Sequence, residues 1–171
     1  MSGELLELGS GPGRDARFLA RQVGHVRAVD HSAIAVARGR GQPDPPRNLE
    51  FEEADAFAAL AATASSSADI VYAHAVYMML SESEEDRLAR EVFRVLRPGG
   101  LPLFAVRSTA DPHFGQGREV SPDRWVRDPD PEPMHYYRPE ALGRLGAPGF
   151  LRQAEAPSAD GHLWYVSDRR P

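Results

Sequence analysis

Glu7-Leu8-Gly9-Ser10-Gly11-Pro12-Gly13 follows directly on a short apolar run made of Leu5, Leu6 and Leu8. A run this short that stops at glycine reads as a buried strand. Glycines in the turn after a strand let the chain bend sharply and let its backbone approach a ligand closely. Residues 14–22 carry Ala16, Leu19 and Ala20 at helical spacing, with Gly24 just beyond. The N-terminus of such a helix offers free N–H groups to an anion. The spacing is G-x-G-x-G, which differs from the G-x-G-x-x-G of dinucleotide binders. The bland alternative is a turn with no ligand.

Outward from this turn, strands and helices alternate. Val26, Ala28 and Val29 predict a second strand ending at Asp30, and Ser32 is placed to cap a helix over 33–38. Residues 41–46 form a Gly/Pro loop, and 49–53 a third strand ending near Asp55. The Ala/Ser tract 58–67 reads as a weak helix and a loop, and 69–73 as a fourth strand. Ser81-Glu82-Ser83-Glu84 opens a helix with acidic residues at its positive end and with Leu88, Val92, Val95 and Leu96 on one face. Pro98-Gly99-Gly100 is expected to stop it, and 101–106 to form a fifth strand. This alternation argues for a parallel sheet with helices on both faces. Residues 108–133 are rich in Pro, Asp, Arg and Gly and read as a long loop or lid, with 128–133 an extended solvated spacer. A short helix over 139–145 and two last strands, 149–154 and 162–167, complete a single domain.

Composition narrows the chemistry. The chain has 171 residues, no cysteine and a formal net charge of −5. A disulfide scaffold, a thiolate zinc site and a Cys nucleophile are excluded. All 20 basic residues are arginine, which excludes a Schiff-base lysine and a P-loop lysine. The acidic balance gives no reason to expect nucleic-acid binding. No apolar run reaches the ~20 residues of a membrane span, and no signal peptide is visible, so a cytoplasmic location is expected. No His/Asp/Glu set has metal-ligand spacing, and no metal is expected.

Two carboxylates join the glycine turn. Asp30, at the end of the second strand, can accept both hydroxyls of a ribose or cap a helix. Asp55, after the third strand, can accept an exocyclic amine, with Phe57 available to stack on a purine, or can equally be a cap. All three features fall at the carboxyl ends of consecutive strands, where open α/β sheets bind ligands. On these residues the chain resembles the class I S-adenosylmethionine-dependent methyltransferases, and among them the small bacterial methyltransferase-domain proteins and their tellurite-resistance-like branch. Glu7, Gly9, Gly11 and Gly13 match the first family motif, and Asp30 the acidic residue ending strand two. Asp55-Ala56 matches the adenine-contact motif, and 69–71 with 73–79 the strand-four motif. Leu96-Arg97-Pro98-Gly99-Gly100 resembles the L-[KR]-P-G-G turn. The likeness spans residues 4–107 well and the tail less specifically.

The resemblance implies a Rossmann-like, doubly wound sheet of seven strands in order 3-2-1-4-5-7-6, the last antiparallel. It divides the one domain into a cofactor-binding core, 4–107, and a substrate side, 108–171. By the same resemblance Gly9, Ser10, Gly11 and Gly13 would border the methionine portion of S-adenosylmethionine, and Glu7 would help hold its amino group. Asp30 would take the ribose hydroxyls, with His31 beside it, and Asp55 the adenine amine, with Ala56 and Phe57 near the ring. Ala73 and His74 would line the floor below the sulfonium. His74 and Tyr77 are the candidates for catalysis, while His113 and His135 are further candidate bases. Arg107 could face the substrate or solvent, and Phe114 and Trp125 could cover the pocket or anchor their loop. The partners expected are a small-molecule methyl acceptor and a second copy of the chain, with no nucleic acid and no membrane.

Two other readings are open. A nicotinamide-dependent oxidoreductase shares the glycine turn and Asp30 but gives no reason for Asp55 or the Pro-Gly-Gly turn. A truncated domain that binds cofactor without turnover is suggested because family members carry helices before the first strand. Here only Met1-Ser2-Gly3 precede it, which implies a cofactor pocket open on that side.

Overall fold

The structure, a computed structural model, describes residues 3–146 and 149–171. Its main sheet has seven strands: β1 (Glu4–Leu8), β2 (His25–Asp30), β3 (Leu49–Glu53), β4 (Ala68–His74), β5 (Leu96–Arg107), β9 (Leu151–Pro157) and β10 (Leu163–Arg169). They lie in the order β3-β2-β1-β4-β5-β10-β9. Strands β1 to β5 run parallel and β10 runs antiparallel to β5. This is the order and orientation that the resemblance implies. Helices α1 (Arg14–Leu19) and α2 (Ala33–Arg40) cover one face, and α3 (Ala56–Ala62) and α4 (Glu82–Val95) the other. Leu5, Ala16, Ala28, Val36 and Phe51 pack under the first pair. A larger cluster with Leu8, Val71, Leu88, Val92 and Phe104 lies under the second. No helix of the described residues is long and apolar enough to cross a membrane.

Local signals explain most boundaries. Ser32 accepts from the Ala35 N–H and starts α2. Ser81 and Glu84 form a capping box, each side chain bonding the other's backbone N–H, at the start of α4. The helix expected over 14–22 is shorter, because beyond Ala20 the N–H groups of Arg21 and Gln22 bond the carbonyls three residues back, Phe18 and Leu19. The weak helix expected within 58–67 begins earlier, at Ala56, because Asp55 caps it.

Two expectations need correction. Pro98-Gly99-Gly100 does not stop the preceding helix. That helix ends at Val95, and Leu96 already pairs with Ala68 in the sheet. The Pro-Gly-Gly residues form an irregularity within β5 between the Leu96 and Leu101 pairings. The span 108–133 is not one loop, and 128–133, although Asp128, Pro129 and Glu132 are exposed, lies partly in a paired strand. β6 (Arg118–Ser121), β7 (Arg124–Arg127) and β8 (Asp130–His135) form a three-stranded antiparallel sheet. Its first hairpin turns at Pro122-Asp123, where Asp123 has φ 58°. This small sheet is followed by a 3-10 helix, Pro139–Leu145.

Candidate active site

The register of the parallel strands brings the expected residues to one edge. Leu8 lies opposite Val29 on one side and Ala73 on the other, and Asp30 lies opposite Glu53. The residues that follow, Gly9, Ala54-Asp55 and His74, therefore emerge level with Asp30. Strand order reverses between β1 and β4, so connecting segments diverge there and leave a crevice. A cleft of about 340 Å³ opens at this point. Gly9, Asp30, His31, Asp55, Ala56, Phe57 and His74 line it, so seven candidates from four separate segments meet in one place. Val29, Ala54, Ala75, Val76, Met79, Leu80 and Leu88 supply apolar wall.

The glycine turn is tied to β2. Ser10 N–H donates to the Val29 carbonyl at 2.9 Å, and Gly11 N–H to Asp30 Oδ2 at 2.7 Å. The other oxygen, Asp30 Oδ1, accepts from Ser32 N–H at 2.8 Å. Asp30 is 8% exposed, and each of its oxygens keeps a second lone pair for a ligand hydroxyl. Gly9 has φ +70°, and a Cβ there would stand 2.6 Å from the Val76 side chain in the cleft wall. Gly13 serves packing, since a Cβ there would overlap the Phe51 ring beneath α1. Ser10, Gly11, Gly13 and Ala73 do not line the cleft. Ala73 is fully buried within β4.

Asp55 has two features at once. Its Oδ1 accepts from the N–H groups of Phe57 and Ala58, which caps α3, while Oδ2 takes no part in the cap. Phe57 next to it is held by α4, with the Arg87 guanidinium 4.4 Å from its ring centroid. Arg87 itself is not among the residues that line the cleft.

Glu7 lies beneath the turn, 2% exposed, and its Oε2 has no hydrogen-bond partner. Burial pushes its carboxyl up to about 8, with Asp15 and Asp30 adding to the rise and Arg14 opposing it. His74, half-buried at the end of β4, is pushed down by burial and by the Arg14 and Arg107 charges, against Asp15. That shift favours the neutral imidazole.

Tyr77 does not reach the cleft. It is fully buried with its ring 4.6 Å from Phe104, and its hydroxyl has no partner. Burial raises its pKa well above 10. The spacing after β4 did not reveal that it points inward. Phe114 and Trp125 pack on one another at 5.9 Å, anchoring the small sheet rather than lining the cleft. Arg107 is ion-paired with Asp111, which also accepts from His113 Nδ1 at 3.0 Å. The His135 side chain, 13% exposed, lies against Glu85. Met79, Leu80 and Leu88 are lining residues that sequence reading missed. Their apolar character marks them as core, and only the 3-10 turn Tyr77–Met79 and the packing of α4 bring them to the cleft.

A family model described as a methyltransferase domain matches residues 5–100, more than half of the chain. No curated protein matches it. Among solved structures, the chain is similar to an S-adenosylmethionine-dependent methyltransferase from Mesorhizobium loti, with 21% identity and a TM-score of 0.74 over 98% of this chain and 91% of that one. A second similar structure is an S-adenosylmethionine-dependent methyltransferase from Methanosarcina mazei, with 18% identity, a TM-score of 0.77 and coverage of 99% and 92%. A third is the 1,6-didemethyltoxoflavin-N1-methyltransferase of Burkholderia thailandensis, solved with 1,6-didemethyltoxoflavin and S-adenosylhomocysteine. It has 18% identity, a TM-score of 0.74 and coverage of 99% and 71%. At these identities the likeness concerns the fold.

Proposed function

Because the chain belongs to the methyltransferase-domain family, we propose that it is a cytoplasmic enzyme that transfers a methyl group from S-adenosylmethionine to a small-molecule acceptor. The observation that carries this is the single cleft in which Gly9, Asp30, Asp55, Phe57 and His74 converge. In this reading the chain is one methyltransferase unit, with residues 4–107 holding the cofactor and 108–171 shaping the acceptor side. A homodimer through the outer sheet edge belongs to the same reading, since the edge strand β9 is exposed along its whole length. Sedimentation at the monomer mass would count against it.

The residues present fit the cofactor. The orphaned Glu7 Oε2 is a buried anion-in-waiting for an ammonium group, and Asp30 keeps spare lone pairs in the cleft. Bound S-adenosylmethionine supplies an electrophilic methyl carbon on a sulfonium, open to in-line displacement. Asp30 accepts the ribose hydroxyls and thereby fixes the sugar against the glycine turn. Asp55 Oδ2 accepts an adenine N–H, and Phe57 offers its free face to the base. Gly9 lets the backbone come close without a side chain intervening. His74, neutral and at the cleft, takes up the proton of an acceptor that is weakly acidic. Cysteine and lysine, absent from the chain, have no part in this chemistry.

Titration calorimetry tests the reading. S-adenosylhomocysteine is expected to bind the full chain with one site, and NADH is expected not to bind. Tight NADH binding without S-adenosylhomocysteine binding would replace the reading with an oxidoreductase. The Phe57 wall makes a finer prediction. An exposed cation–π contact is worth ~0.5–1 kcal/mol. Arg87→Ala is therefore expected to weaken S-adenosylhomocysteine binding about two- to fivefold. The same change in a Phe57→Leu background is expected to cost nothing further, and a persisting loss there would show that Arg87 acts on the ligand directly.

A further inference from the structure

Three buried polar side chains lie outside the cofactor cleft and have no role in the chemistry above. They are Glu85 on α4, Arg124 on β7 and His135 at the end of β8. The Glu85 and Arg124 side chains are 7% and 9% exposed. Arg124 Nη2 donates to Glu85 Oε1 at 2.5 Å, and its Nη1 donates to the Leu80 carbonyl at 2.5 Å. His135 Nδ1 lies 2.9 Å from the same Glu85 oxygen. Stability alone is a poor reason for such a cluster, because a buried ion pair gains little over well-packed apolar side chains.

Its connections give a better one. Leu80 lines the cofactor cleft, as do Ala75, Val76 and Met79 just before it. Leu88, less than one turn beyond Glu85, lines the cleft as well. The two acceptors of the Arg124 fork therefore both belong to segments of the cleft wall, while the Arg124 backbone belongs to the small sheet β6-β7-β8. Met134 of β8 packs on the same core cluster as Tyr77 and Met78, so the wall segment is also pressed from the small sheet. A guanidinium suits this task because its donors lie in a rigid plane and can hold two acceptors in fixed relation.

We propose that Arg124 is a positioning residue that latches the small sheet to the wall of the cofactor cleft, so that cofactor binding and order in that sheet rise and fall together. The proposal rests on the cofactor reading above. Coupling of this kind is reciprocal: if the latched sheet favours the cofactor, the bound cofactor must steady the sheet by the same factor.

The test uses the full chain and S-adenosylhomocysteine, with no acceptor required. Two variants break the fork differently. Arg124→Lys keeps the charge but reaches one acceptor at a time. Arg124→Met combined with Glu85→Met removes both charges together. Calorimetry gives the affinity, thermal unfolding the stability, and hydrogen exchange the protection of the β6, β7 and β8 amides with and without ligand. Binding about tenfold weaker than wild type is expected in each folded variant. Saturating ligand is expected to slow exchange in β6 to β8 of the wild type and to leave it unchanged in the variants. A folded Arg124→Lys protein with wild-type affinity and wild-type ligand-induced protection overturns the latch, even if its melting temperature falls. If the double variant fails to fold, Arg124→Lys alone decides. Should the wild-type chain bind no S-adenosylhomocysteine, the cofactor reading itself is overturned and the latch with it; a binding wild type with unaffected variants removes only the latch.

Discussion

Replacing Asp30 by alanine is expected to weaken S-adenosylhomocysteine binding by about 10- to 150-fold. The figure follows from charge-assisted hydrogen bonds to the ribose hydroxyls, worth ~1.5–3 kcal/mol. A second consequence follows from the position of the carboxylate. Asp30 also accepts from Gly11 N–H and Ser32 N–H, so its loss releases the glycine turn from the end of β2. Asp30→Asn separates the two roles. An amide oxygen can keep one of the backbone N–H groups while its NH2 cannot accept from a hydroxyl. The asparagine variant is expected to lie between wild type and alanine in affinity, with a melting temperature near wild type. Calorimetry on proteins shown to be folded by circular dichroism is the measurement. Unchanged affinity in a folded Asp30→Ala protein would remove Asp30 from the ribose site.

The second large effect is a pH dependence centred on Glu7. Its folded pKa of about 8 stands above the ordinary 4.5. Between these values the folded chain holds a proton that the unfolded chain has lost. Stability from this group is therefore fully present below pH 4.5 and falls as pH rises toward 8, by at most ~1.4 kcal/mol per unit. Above pH 8 the carboxylate is charged in both states and the full penalty stays. Glu7→Gln keeps the shape and removes the charge. The variant is expected to match wild type near pH 4.5 and to melt at a clearly higher temperature at pH 8–9. Melting curves that run parallel at all pH values would contradict the raised pKa.

Ligand binding should turn the same group around. A cationic amino group placed near Glu7 favours its ionised form, so binding expels the proton at pH 7. Calorimetry in two buffers of different ionisation enthalpy is expected to report proton release for wild type and none from this group for Glu7→Gln. The affinity of wild type is expected to rise with pH up to about 8 and then level. The variant is expected to bind more weakly at pH 8, because it cannot offer the negative charge. Stability and binding thus move in opposite directions on the same substitution, which a general loosening of the fold would not produce.

Much of this site was legible because its signals are local. A strand that ends at glycine, a carboxylate that ends the next strand and a serine that caps the next helix each need only a few neighbours in sequence. Parallel alternation then brings such strand ends to one edge, and the cleft formed by Gly9, Asp30, Asp55, Phe57 and His74 follows. Other features escaped because their causes are distant. Gly13 is required by Phe51, which is far along the chain. Tyr77 has the composition of a site residue, yet its ring packs on Phe104 of β5 and leaves the cleft to its neighbours. The strands β6 to β8 carry proline and charge and lack clean alternation, so they read as loop. They pair with one another and rest on the turn Tyr77–Met79, and that docking has no trace in their own pattern.

Within residues 4–95 the order of strands and helices was legible in the sequence alone, because periodicity, glycine punctuation and caps act within a few residues. The resemblance carried by the glycine turn and the Leu96–Gly100 motif extended that order to a full sheet topology. The tertiary structure decided which way each side chain faces and what it feels there. Burial raises Glu7, α4 brings Leu88 and Arg87 to the Phe57 wall, and Arg124 joins two cleft segments to a sheet that lies well beyond them in the chain. Desolvation and long-range partners depend on register and packing, which no stretch of sequence states by itself.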